Sequence, residues 1–251
     1  MKNNLLEKTI EETKKLIEIP SFEDCTQIQK YLEERLDFIK FEKQPVGKVV
    51  NSNPQYNLVS ISKDKPFMIN THVDTVPPMT MENPFTPIIK DNKIYGRGAA
   101  DTKGLIASLI VAIEIFKEEN PDKEIPVSLA FTVDEENHTA LGSEKLLEII
   151  DPVETILVLE PTYGIICDKQ MGTYEFELEV EVESMHASEF EKTHNPAKIT
   201  FKLLEEIENQ LNRPVNIINI ESGWDYYAVP EKSYLLAEVK LFENEKKEDI
   251  E

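Results

Sequence analysis

Three short apolar runs in this sequence each end in side chains able to bind a metal ion. Phe67 to Thr71 leads into His72 and Asp74, Val127 to Val133 into Asp134, Glu135 and Glu136, and Thr155 to Leu159 into Glu160. A fourth acid, Asp101, sits in GRGAADTKG just ahead of a long apolar stretch, where Gly96, Gly98 and Gly104 allow close backbone approach. Carboxylates gathered without compensation repel one another and hold their protons, whereas a divalent cation neutralises them. His72 with Asp101 and Glu160 is a nitrogen-and-oxygen set suited to zinc, and a carboxylate-rich set also suits cobalt or manganese. Adjacent Glu135 and Glu136 cannot both point the same way from extended backbone, so one can hold metal while its neighbour handles protons. A carboxylate beside a water polarised by such an ion can take its proton and later pass it to a leaving amine, as amide hydrolysis requires.

These side chains converge if the runs carrying them are strands of one open α/β sheet, because ligands gather at the carboxyl ends of such strands. From Leu5 to Ile19, apolar residues interleave with Glu and Lys in the pattern of an amphipathic helix stopped by Pro20. A second helix is expected from Thr26 to Phe38. Strands are then expected at Tyr56 to Ser62, Phe67 to Thr71, Ile88 to Tyr95, Val127 to Val133 and Thr155 to Leu159, with helices from Gly104 to Glu119 and near Gly142 to Ile150. That order predicts an α/β layered domain over residues 1–168. After Gly172 the pattern changes: Tyr174, Phe176, Leu178, Val180 and Val182 alternate with Glu, the mark of a half-solvated antiparallel strand. A helix from Pro196 to Leu211 and strands at Val215 to Ile220 and Tyr234 to Phe242 follow. This β-α-β-β order is the first part of a split βαβ layer and predicts a second domain over 169–251.

Composition excludes several functions. The chain has 251 residues and a formal net charge of −21, which argues against a nucleic-acid partner. The longest nearly apolar run, Leu105 to Phe116, is too short to cross a membrane. The charged N-terminus lacks the continuous apolar segment of a secretory signal, so the expected location is cytoplasmic. Cys25 and Cys167 form no CxxC pair and are expected to be reduced core residues.

The motifs THVDTVPP at 71–78, GRGAADTKG at 96–104, DEENHTALGS at 134–143, LEPT at 159–162 and MHAS at 185–188 occur in one order between residues 71 and 188. In this the sequence resembles the metal-dependent amidohydrolases and peptidases that include acetylornithine deacetylase, succinyl-diaminopimelate desuccinylase, aminoacylase and glutamate carboxypeptidase. The resemblance implies a zinc-hydrolase-like catalytic domain over 1–168 and an inserted ferredoxin-like α+β lid over 169–251. It implies that His72 binds a first metal, Asp101 bridges two metals, Glu160 completes the first site and Glu136 is a ligand of the second. Asp74 would orient His72, and Glu135 would be the general base. A cis peptide after Asp101 is implied, as is a role for His186 in stabilising the tetrahedral oxyanion, often from the opposite subunit of a lid-mediated homodimer. The implied activity is cleavage of the amide bond in a small N-acyl amino acid, as in acetylornithine deacetylase, or in a peptide.

The sequence also departs from that family. The family's second metal takes a further histidine close to the C-terminus, and this chain has only His72, His138, His186 and His194. His138, two residues after Glu136, reads as a solvated loop residue rather than a substitute ligand, and His194 in its charged loop is less suited still. One tight ion is therefore expected, with both domains incomplete at the C-terminus. The alternative reading is a catalytically silent fragment, pseudoenzyme or subunit that a second, C-terminal polypeptide completes. Tyr227 stands where the family usually has asparagine, and Lys240 where it commonly has an arginine that grips the substrate carboxylate. Lysine keeps the charge without the bidentate fork. The net charge favours cationic over polyanionic substrates at low salt.

Overall fold

A computed structural model describes residues 2–137, 139–151, 153–223 and 226–250. The chain forms two compact units, Met1–Ile165 and Ile166–Glu251.

In the first unit, α1 (Lys2–Ile17) and α2 (Thr26–Arg35) precede β1 (Glu42–Val50), β2 (Asn53–Ser60) and β3 (Phe67–His72). A hairpin of β4 (Ile88–Lys90) and β5 (Lys93–Tyr95) leads to α3 (Gly104–Glu119), β6 (Ser128–Thr132), α4 (Leu141–Leu147) and β7 (Thr155–Val158). The main sheet has the order β1-β2-β6-β3-β7, with β3 parallel to both β6 and β7. Successive residues of its strands serve opposite faces. Leu58, Leu129 and Phe131 join Leu16, Ile28, Leu32, Ile106 and Ile110 in one core, whereas Val59, Met68 and Ala130 pack with Leu146 of α4 in another. Each large aliphatic or aromatic side chain buried here contributes about 1.5–3 kcal/mol. The α3 sequence GLIASLIVAIEIFKEE is apolar on several sides and buries Ile106, Ala107, Leu109, Ile110, Val111 and Ile113. The β7 edge is different: Ile156, Leu157 and Val158 are all exposed.

Two strand expectations are corrected. The run Ile88 to Tyr95 is a hairpin and not one strand, because Asp91 and Asn92 take positive φ (51° and 58°) and reverse the chain. β1 was not expected, since Pro45 and Gly47 interrupt its pattern; the structure absorbs them in a register shift between Pro45 and Val49. Helix α2 stops at Arg35 rather than Phe38.

In the second unit, β8 (Thr173–Glu181), α5 (Pro196–Leu211), β9 (Asn216–Ser222) and β10 (Lys232–Lys240) form a three-stranded antiparallel sheet ordered β8-β10-β9, with one helix. The alternation in β8 keeps its glutamates in solvent, while Phe176 and Leu178 pack with Leu204, Leu235 and Ala237. Asn195 caps α5, its Oδ1 accepting the Lys198 N–H at 3.4 Å, and Pro196 follows at the first helical turn. Residues 247–249 form a short helical turn. Cys25 is buried as expected, but Cys167 is exposed, because it lies in the extended segment before β8 and outside both cores.

Candidate metal centre

The parallel register brings the chemistry to one edge. His72 ends β3 level with Thr132 of β6, and Asn70 pairs with Val158 of β7. Glu160, two residues past Val158, is thereby level with His72. Asp101 arrives from the turn before α3. Gly98 sits at φ 79°, where a Cβ would also meet Thr75 at 2.7 Å and Lys103 at 2.9 Å. The Asp101–Thr102 peptide is cis, and Thr102 Oγ1 donates to the His72 carbonyl at 2.8 Å, tying this turn to the end of β3.

His72, Asp101 and Glu136 each offer a ligand atom, all within 4.8 Å of one another. His72 Nε2 is 2.9 Å from Asp101 Oδ1 and 3.9 Å from Glu160 Oε1. Its Nδ1 is 3.0 Å from the backbone carbonyl of Asp74, which can only accept; Nδ1 therefore carries the proton of the neutral ring, and the Nε2 lone pair faces the carboxylates. The Asp74 carboxylate is buried. Its Oδ2 accepts the Glu136 N–H at 2.9 Å, while Oδ1 makes no hydrogen bond among the described residues and stands 3.6 Å from His72 Nδ1.

Electrostatics record the crowding. Burial opposes a charge on His72, but the neighbouring Asp74 carboxylate, with the charges of Glu135 and Glu160, pushes its pKa up to about 9. Burial together with Asp101, Glu135 and Glu136 pushes Glu160 up to about 7 against the pull of His72. Glu136 is raised by burial and by Asp101. A divalent cation would relieve all three groups, and the imidazole-plus-carboxylate set fits one.

Asp134 is a correction. Its position after β6 made it a candidate ligand, but its carboxylate is 1% exposed and is taken up by other partners. It accepts from Lys48 Nζ, from Asn137 Nδ2 at 3.0 Å, from Thr139 Oγ1 at 2.5 Å and from the Leu141 N–H at 3.2 Å. Burial works against its ionisation, yet Lys48 and these donors hold its pKa below the usual value. The side chain pins the loop that carries Glu135 and Glu136. Lys103 was also missed: fully buried, it donates to the Ile19 carbonyl at 2.7 Å, and burial pulls its pKa down to about 8. Its place in GRGAADTKG was the only available signal.

Glu135 is exposed beside the cluster. In the second unit, His186 bridges to Ala228, and the Ala187 N–H donates to the Tyr227 carbonyl at 2.9 Å, so His186 and Tyr227 are neighbours. Lys240 lies at the far end of β10, exposed. His194 is exposed, and His138 lies outside the described residues. Among the described residues, no helix is long and apolar enough to cross a membrane.

Residues 68–229 match the model of peptidase family M20/M25/M40. The chain is 31% identical over 212 residues to a succinyl-diaminopimelate desuccinylase of Pelagibacter ubique, an alignment covering 78% of this chain and 55% of that protein. It thus spans about half the length of this curated relative. Among solved structures, human carnosine dipeptidase 1 superposes with a TM-score of 0.71 at 16% identity, over 97% of this chain and 71% of that one. A metallo-carboxypeptidase from Sulfolobus solfataricus superposes with a TM-score of 0.66 at 16% identity, over 97% of this chain and 73% of that one. At such identities the superpositions speak for the fold, a sheet flanked by helices with a smaller α+β unit.

Proposed function

The chain belongs to peptidase family M20/M25/M40, and from that premise we propose that it acts as a metal-dependent hydrolase on the amide bond of a small N-acyl amino acid or short peptide. The observation that carries this reading is the convergence of His72, Asp101 and Glu136 within 4.8 Å, with Glu160 beside them. His72, Asp101 and Glu160 would hold one divalent ion, zinc, cobalt or manganese, with Asp101 and Glu136 turned toward a second. When bound, such an ion supplies Lewis acidity to the attacking water and the scissile carbonyl. Glu135 takes the proton of that water as its oxygen adds to the carbonyl carbon, then gives it to the nitrogen as the C–N bond breaks. Exposure suits Glu135 to this work, because its carboxylate can reach substrate while Glu136 is tethered through its backbone to Asp74. Asp74 fixes the His72 ring. His186 is assigned the oxyanion contact, with Tyr227 and Lys240 as substrate contacts. The net charge of −21 favours a cationic amino-acid portion.

A second reading is favoured by the exposed apolar edge at Ile156, Leu157 and Val158. Uncovered apolar edges invite pairing, and a further polypeptide segment laid on β7 would complete the sheet. On this reading the chain alone binds one ion and is silent. A homodimer through the second unit is compatible with either.

The test is to titrate the metal-stripped protein with zinc and cobalt, then assay N-acetylornithine, N-succinyl-diaminopimelate and dipeptides. Metal-dependent turnover abolished by Glu135→Gln supports the hydrolase. Turnover that survives Glu135→Gln removes the assigned base, and one tight ion without turnover favours the silent subunit.

A further inference from the structure

We propose that Ser188 is a positioning residue that locks His186 as the tautomer carrying its proton on Nε2. His186 precedes the helical turn Ala187–Lys192 as its cap, and its imidazole Nδ1 lies 3.3 Å from the Ser188 backbone N–H and 2.8 Å from Ser188 Oγ. A backbone N–H can only donate, so Nδ1 must present its lone pair to it. In the neutral ring the proton is then on Nε2. The Ser188 hydroxyl donates to the same lone pair and adds a second restraint on ring orientation. Nε2 has no partner among the described residues, and the residue is exposed, so its N–H is available to an external acceptor. The helical turn satisfies one of its own orphan amides through this contact, which couples the direction of the imidazole to the backbone.

His72 has the opposite arrangement, with Nδ1 facing a carbonyl and the Nε2 lone pair turned outward. One histidine is thus set to bind a cation through Nε2 and the other to donate a hydrogen bond from Nε2. The acceptor that fits His186 is an anionic oxygen, a carboxylate or the oxygen of a carbonyl under attack. That last step rests on the hydrolase reading; the tautomer does not.

The test has two arms. In long-range nitrogen–proton NMR of histidine-labelled protein at a pH where the ring is neutral, with His186 assigned by its loss in His186→Gln, Nδ1 is expected at the unprotonated position and Nε2 at the protonated one. Ser188→Ala keeps the amide contact and is expected to retain this signature. Ser188→Pro lacks both donors and is expected to move both nitrogens toward the averaged shifts of a mixed tautomer. Ser188→Gly, which keeps the amide in a looser backbone, serves if the proline variant does not fold, and should show partial averaging. A wild-type ring protonated on Nδ1, or averaged shifts already in the wild type, overturns the lock. In the second arm, His186→Ala is expected to lower kcat about 100-fold and Ser188→Pro about tenfold, with KM little changed. A normal kcat in a Ser188 variant whose ring is unlocked overturns the positioning role. Absence of turnover in every protein, wild type included, refutes the hydrolase reading and leaves the tautomer to be decided by the first arm.

Discussion

Binding of a divalent ion at the His72 cluster should expel protons in a pattern set by two displaced pKa values. The Nε2 lone pair that faces Asp101 and Glu160 is protonated below about pH 9, and Glu160 holds its proton up to about pH 7. A metal must compete with both protons at pH 6, with that of His72 alone near pH 8, and with neither well above pH 9. Affinity for zinc should therefore rise about 5,000-fold between pH 6 and pH 9, equivalent to about 5 kcal/mol, and then level off. Proton release should be about 1.8 per ion at pH 6.5 and about 1 at pH 8. Calorimetry in buffers of different ionisation enthalpy measures the release, and chelator competition measures the affinity. His72→Gln should remove one proton's share of the slope throughout pH 6 to 9, leaving only the share that Glu160 contributes. Release below half a proton at pH 6.5, or an affinity flat from pH 6 to 9, would refute the reasoning.

Without metal, the same raised pKa values make stability fall with alkalinity. The contribution of His72 is complete below its unfolded pKa of 6.5 and is lost as pH rises through about 9, and that of Glu160 is complete below 4.5 and lost through about 7. The melting temperature of metal-stripped protein should drop from pH 6 to 9, and saturating zinc should reverse the drop; a rise without metal would contradict this. Asp134→Ala strands Lys48 and frees the loop carrying Glu135 and Glu136, and should cost about 2–3 kcal/mol in urea unfolding, reduced from the fully buried case because Lys48 is partly exposed. Gly142→Ala should cost more than about 3 kcal/mol or prevent folding, since a Cβ would lie 2.0 Å from the Val133 carbonyl oxygen; a near-neutral melting curve would show that the α4 start can shift.

Much of the fold was legible where one local signal dominated. Helix α3 was readable from its nearly apolar run after Gly104, helix α5 from the pattern that begins at Pro196, and β8 from strict alternation with glutamate. β1 was hidden because a bulge tolerates the Pro and Gly that normally argue against a strand. The β4–β5 hairpin carried its own turn signal in Asp91 and Asn92, masked by three flanking isoleucines and a tyrosine. In the candidate site, an imidazole and acids at strand ends and Asp101 in its glycine-rich turn stood out, so His72, Asp101 and Glu160 could be singled out together, whereas the choice of Glu136 over Glu135 as ligand came from the family resemblance alone. The partnership of Asp134 with Lys48 could not, because it joins a loop to a bulge far away in sequence and depends on a backbone turn at φ 65°.

The central claim is that the imidazole of His72 and the carboxylates of Asp101, Glu136 and Glu160 exist to hold a divalent ion. Anomalous diffraction at the zinc edge from crystals grown with zinc tests it most directly. The account predicts a strong peak within bonding distance of His72 Nε2 and an Asp101 carboxylate oxygen, lost in His72→Ala. A fully loaded crystal with its only peaks elsewhere, or none at this edge of the sheet, would contradict it.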